Sequence, residues 1–145
     1  MKRGLALAAF VLLASCNGPG GPPAIALEDG WARATSAGQT SSAVYLTIAN
    51  RGGEDRLVSV SSPLGEASIH STTIEDGVMR MRPLETLEIP ANFVVELEPH
   101  GTHIMVAGLD SPVEAGEMIP LTLDFERSGE RQISARARPA HGAGM

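Results

Sequence analysis

Four side chains in this sequence could hold a metal ion between them: His70, Met81, His103 and Met105. They read as H-x10-M-x21-H-x-M. Two imidazoles and two thioethers make a soft, neutral donor set. Thioether sulfur suits Cu(I) and offers little to Zn, Mg or Ca, and imidazole is a borderline donor that copper also accepts. Alone, a His in an all-β domain is more often structural or solvated, and a lone Met is more often core filler. Four of them at these spacings point instead to copper. The only Cys in the chain, Cys16, lies far from the set. A blue-copper electron-transfer centre needs a thiolate with two His. The set therefore suits a carrier: neutral ligands in an exposed site can be displaced one by one by a partner's stronger ligands. Both His must be neutral to bind, so affinity should weaken as pH falls through the imidazole range.

The elements that must position these residues read as strands. His103 and Met105 are i and i+2, so on a strand they project from one face. Asp76-Gly77 is the strongest hairpin signal, between Ala67 to Thr73 and Val78 to Arg82. A two-residue type I′ turn there pairs Glu75 with Val78 and Thr72 with Met81. His70 and Met81 then become diagonal neighbours on one face, about 7–8 Å apart at the backbone. Met79 shares that face and is an accessory candidate. The remaining strand signals are Ile25 to Glu28, Trp31 to Ala34, Val44 to Asn50, Arg56 to Ser61, Phe93 to Leu97, His103 to Leu109, Ile119 to Glu126 and Arg131 to Arg138. Pro83 and Pro90 bracket a looser segment. No stretch carries a helical period with caps. Roughly eight short strands with Gly/Pro punctuation predict an all-β antiparallel sandwich or Greek-key barrel. Spacing alone does not bring the hairpin to the His-x-Met clip; that step depends on the fold.

A chain of 145 residues fits one domain with a core that needs no disulfide staples. The net charge of -6 argues against nucleic acid, and 3% aromatics leave no stacking platform for single strands. Residues 1–15 read as a signal peptide: basic Met1-Lys2-Arg3, then an apolar run from Leu5 to Leu13, shorter than the roughly 20 residues that span a bilayer. Leu12-Leu13-Ala14-Ser15-Cys16 resembles a bacterial lipobox, which would make Cys16 the lipidated first residue of an exported, membrane-anchored protein. Residues 16–23 read as a Gly/Pro linker with nothing in it that packs, 24–138 as the domain and 139–145 as a flexible tail. Export implies an oxidising compartment, and Cys16 has no partner for an internal disulfide. No nucleophile elbow, phosphate loop or H-E-x-x-H helix is present, so an enzyme is not expected.

At this point the chain resembles the periplasmic copper chaperones of the PCuAC family. The matching text includes Trp31-Ala32-Arg33, Ala43-Val44-Tyr45, Asn50, Asp55-Arg56-Leu57, His70, Asp76-Gly77-Val78-Met79-Arg80-Met81-Arg82, Ile89-Pro90, His103-Ile104-Met105, Gly108-Leu109, Gly116 and Leu121 to Glu126. It runs from about Ile25 to Arg138 and keeps every spacing of the family's copper motif. The resemblance implies a cupredoxin-like β-sandwich in the periplasm with Cu(I) on His70, Met81, His103 and Met105. It also implies copper delivery toward the CuA centre of cytochrome c oxidase, with subunit II or a Sco-like thioredoxin-fold protein as acceptor. His100 departs from the pattern by placing an extra imidazole near the site. Some members carry His- or Met-rich C-terminal extensions, of which His141 and Met145 could be a remnant; Cu(II) at these accessory residues is a further expectation. Two alternatives use the same chain differently: a periplasmic copper buffer or resistance protein, and a metal-free lipid-anchored interaction domain.

Overall fold

Short runs in which Val, Ile, Leu and Phe alternate with polar residues set one face of each strand toward a common interior. The computed structural model describes residues 20–139, so Cys16, His141 and Met145 lie outside the described residues. Within them are ten strands: β1 (Ile25–Arg33), β2 (Ser41–Asn50), β3 (Asp55–Ser61), β4 (Glu66–Glu75), β5 (Val78–Leu84), β6 (Leu87–Ile89), β7 (Phe93–Leu97), β8 (Thr102–Ala107), β9 (Met118–Phe125) and β10 (Gly129–Arg138). They are hydrogen-bonded in the order β5-β4-β8-β2-β1-β10-β9-β3-β6, with β7 also on β2. Only β1 and β10 run parallel; the other pairings are antiparallel. The sheet folds over on itself into an open cupredoxin-like sandwich, the class the sequence predicts.

Val44, Leu46, Ile48, Ile69, Ile104, Ile119, Leu121, Leu123 and Phe125 fill the interior. Each such side chain contributes roughly 1.5–3 kcal/mol when fully buried. The inward set of β4 is Ile69 and that of β8 is Ile104, so their neighbours His70 and His103 must face outward.

Three local features depart from the sequence reading. Ile25 to Glu28 and Trp31 to Ala34 form one strand, because Asp29-Gly30 makes a bulge and not a turn. The register slips between Glu28 and Trp31, and Asp29 takes a φ of 52°. Gly30 fits there because a Cβ would lie 2.9 Å from Ile133 Cδ1. The segment between Pro83 and Pro90 holds the three-residue β6, pinned to β3 by Asp55↔Ile89 and Leu57↔Leu87. Finally, the linker is not free throughout: Gly53 N–H donates to Pro22 O and the Arg127 guanidinium to Gly21 O.

The β9–β10 turn is fastened to β3 by one carboxylate. Asp55 is buried and accepts from Arg56 N–H (2.8 Å), Arg127 N–H (2.9 Å), Ser128 N–H (3.0 Å) and the Ser128 hydroxyl (2.6 Å). Burial pushes its carboxyl up, but the hydrogen bonds from Ser128, Arg127 and Arg56 outweigh burial and hold it below the usual carboxylate range.

Candidate metal centre

The hairpin follows its turn chemistry. Asp76 and Gly77 both take positive φ, 53° and 77°, as a type I′ turn requires. Glu75 pairs with Val78 and Thr72 with Met81. His70 lies two residues from Thr72, so it shares Met81's face.

The fold supplies the step that spacing could not. β4 lies against β8 with His70 directly opposite His103 and Ser68 opposite Met105. His70 is therefore the hub of the four: His103 faces it across the strand gap, and Met81 and Met105 are its diagonal neighbours on either flank. All four project from the face turned away from Ile69 and Ile104. The two imidazole rings stack at 6.0 Å between centroids with 25° between planes.

Hydrogen bonds fix what the rings present. His103 Nδ1 lies 3.1 Å from Gly101 O. A carbonyl can only accept, so Nδ1 carries the proton and Nε2 the lone pair. His103 is 3% exposed, and that Nε2 is buried with no partner. In His70 the partnered nitrogen is the other one: Nε2 lies 2.9 Å from Ser68 Oγ, a hydroxyl that can accept or donate, and Nδ1 is buried and unpartnered. With Nε2–H donating to Ser68, Nδ1 holds the free pair. Orienting a ligand imidazole through its other nitrogen is a common device at metal sites. A buried polar atom left without a partner costs roughly 1–3 kcal/mol. Two such lone pairs on adjacent rings are a donor pair of the kind an electrophile can take up. Burial, and then the nearby His103 ring, lower the pKa of His70 below its ordinary value, which favours the neutral ring that can donate to a metal.

The sulfur side is open. Met81 is 54% exposed, and Met105 is half-buried. Among the described residues no three His, Cys, Asp or Glu side chains gather into a cage, so a hard cation finds no ready site.

The accessory candidates fall elsewhere. Met79 pairs with Ile74 nearer the hairpin tip, on the same face as Met81 but two pairs further out, and is largely exposed. His100 sits in the β7–β8 turn at a φ of 67°, outside the strand that carries His103. His141, Met145 and the lipidation candidate Cys16 lie outside the described residues.

Sequence reasoning missed the wall behind His103. Tyr45 stands 6.2 Å from the His103 ring, Trp31 stacks on Tyr45 at 4.4 Å, and the Arg138 guanidinium caps Trp31 at 5.0 Å. The alternation of β2 signals only that Tyr45, between inward Val44 and Leu46, faces away from the core; the β2–β8 register is what brings it to the metal face.

Comparison with known proteins gives this arrangement its relatives. The family model described as "Putative lipoprotein LpqE-like" matches residues 25–137. The "Putative lipoprotein Lxx21020" of Leifsonia xyli subsp. xyli (strain CTCB07) is 30% identical over 144 residues, covering 97% of this chain and 86% of its own. Among solved structures, the copper-bound PCuAC domain from PmoF2 superposes with a TM-score of 0.67 at 25% identity, covering 79% of this chain and 92% of that one. The Cu(I) form of DR1885 from Deinococcus radiodurans does so at 0.58 and 26%, covering 77% and 76%. The chain belongs to the LpqE-like family, and its fold is that of a PCuAC domain.

Proposed function

We propose that this protein is an extracytoplasmic Cu(I) carrier, tethered to a membrane through lipid on Cys16. His70 Nδ1 and His103 Nε2 hold the ion together with the thioethers of Met81 and Met105. The observation that carries this reading is the pair of buried, unpartnered ring nitrogens on facing strands, flanked by two Met on the same face. Copper in two solved relatives of the same fold supports it. The donor set is neutral and contains no thiolate, so an acceptor with cysteine ligands out-competes it. Hand-over then proceeds ligand by ligand, beginning with the exposed Met81. The acceptor best matched to such a carrier in the periplasm is a dithiol copper site, either the CuA-bearing subunit of cytochrome c oxidase or the Sco-like protein that serves it.

The experiment is a transfer assay. The Cu(I)-loaded protein is mixed with a dithiol copper-acceptor domain, the two are separated, and copper is measured in each. Movement of most of the copper to the acceptor is expected. Retention on the loaded protein would leave a buffer and overturn the carrier role.

Met81→Leu keeps the volume and removes the sulfur. We expect Cu(I) affinity to fall by about 10-fold or more, one ligand's worth of free energy being at least about 1.4 kcal/mol. Because Met81 is largely exposed, the apo melting midpoint should move by no more than about 2 °C. Competition titration against a Cu(I) chelator and thermal melts read the two quantities; an equal loss in both would make Met81 a structural residue.

A further inference from the structure

The end of the sandwich where the chain enters holds its tether down. Gly53 N–H donates to Pro22 O and Arg51 N–H to Ala24 O, both at 3.0 Å. Ala24 N–H donates to Asn50 Oδ1 at 3.1 Å, and the Arg127 guanidinium reaches Gly21 O at 2.8 Å. A Cβ on Gly52 would overlap Pro22 O, and one on Gly53 would overlap Gly21 O. Packing therefore reaches back beyond Ala24, at least to Gly21. Five residue steps separate Gly21 from Cys16, and fully extended they reach roughly 17 Å.

The same rim carries bare apolar side chains among polar ones such as Arg51 and Asn92. Phe93 and Val94 are 54% and 49% exposed. Phe93 pairs with Asn50, which on its other side pairs with Ile25, so both stand beside the tether. Neighbouring strand residues point to opposite sides; that both are bare means they jut from the rim and cover no core. The β4–β5 hairpin points to this end as well. β4 and β2 are both antiparallel to β8, and β4 continues past its last pair with β8, Ser71↔Thr102, in the direction in which β2 runs toward Asn50. Exposed Ile74 and Val78 lie near its tip. Arg51 is exposed at the rim, where it can meet lipid phosphate.

We infer that in the acylated protein this rim rests on the bilayer, with Phe93 and Val94 in the interfacial layer and Arg51 among the headgroups. The inference rests on acylation of Cys16, part of the function proposed above. A tether of this reach confines the rim to within about 17 Å of the headgroups, and apolar and aromatic side chains favour that layer. Tyr45, at the candidate metal face, lies five residues along β2 from Asn50, about 17 Å from the rim. Copper would thus be offered just above the membrane plane, at the height of a membrane-bound acceptor.

The test uses the full acylated chain in vesicles of phosphatidylethanolamine and phosphatidylglycerol. A nitroxide is placed by Val94→Cys and, separately, by Asp110→Cys; Asp110 is exposed and lies at the opposite end, where Leu109 N–H bonds Thr40 O. Flotation reports anchoring, and collision with oxygen against a water-soluble nickel chelate reports depth. We expect the Val94 label to be relaxed by oxygen and shielded from nickel, and the Asp110 label to be open to nickel. Phe93→Cys carries the same expectation should a label at Val94 disturb β7. Flotation with position 94 as open to nickel as position 110, as when the rim meets a protein partner absent from the vesicles, overturns this inference alone. Failure to float overturns it together with the anchor.

Discussion

His103→Leu is expected to lower Cu(I) affinity by at least about 100-fold while leaving the apo protein as stable as the parent. Residues that merely orient a metal ligand are worth about 10–100-fold in affinity, so loss of a ligand sets that as a floor. The stability half is the more discriminating. The imidazole makes one hydrogen bond, to Gly101 O, worth about 1 kcal/mol. Its loss strands nothing, because Gly101 O also accepts from Thr72 N–H at 3.1 Å. Against that, the substitution removes the buried, unpartnered Nε2, which costs roughly 1–3 kcal/mol in the apo state. The apo midpoint should therefore stay within a few degrees of the parent or rise. Chelator competition and thermal melts without copper check both halves. Unchanged affinity would remove His103 from the site. A fall in the apo midpoint of 10 °C or more, taken as about 2 kcal/mol, would make it structural.

The hairpin half of this site was legible in the sequence, and the reason is local. Asp76-Gly77 admits positive φ at both central positions, which selects the two-residue turn and with it the Thr72↔Met81 pairing. His103 and Met105 share a face by the period of any strand. The meeting of the two pairs was not legible. Nothing near His70 records that β4 will lie against β8, because that choice is made by the burial of Ile69 and Ile104 among residues from the whole chain. For the same reason the Tyr45–Trp31–Arg138 wall was missed, since it needs the registers of β1 with β2 and β10. At Asp29-Gly30 two strand signals read separately proved to be one strand. The dipeptide that makes a hairpin at Asp76-Gly77 only kinks a strand at Asp29-Gly30, where β2 and β10 hold β1 on both sides. Local chemistry offers the turn, and the neighbouring strands decide whether it is taken.

Asp55→Ala is expected to destabilise the fold by roughly 3–5 kcal/mol, or about 10–20 °C in midpoint, because it strands several donors at about 1–3 kcal/mol for each left buried and unpaired. The carboxylate is the acceptor for three backbone N–H groups and one hydroxyl, and without it the Arg127-Ser128 turn loses its attachment to β3. That turn also carries the guanidinium that holds Gly21 O, so the tether clamp should loosen with it. Asp55→Asn should lie between parent and Ala. Its oxygen can keep the Arg56 and Arg127 N–H bonds, but its NH2 then confronts Ser128 N–H, donor against donor. Acid separates the ionic part from the rest. The folded carboxyl titrates below its unfolded value of about 3.9, so its ionic contribution is complete above that pH and fades as pH falls through the lower folded value. The gap in stability between parent and Asp55→Asn should be constant from pH 5 to 7 and close below about pH 4. Urea unfolding of both proteins across that range measures it. A gap that persists unchanged to pH 2 would mean that the shape of the side chain, and not its charge, fastens the turn.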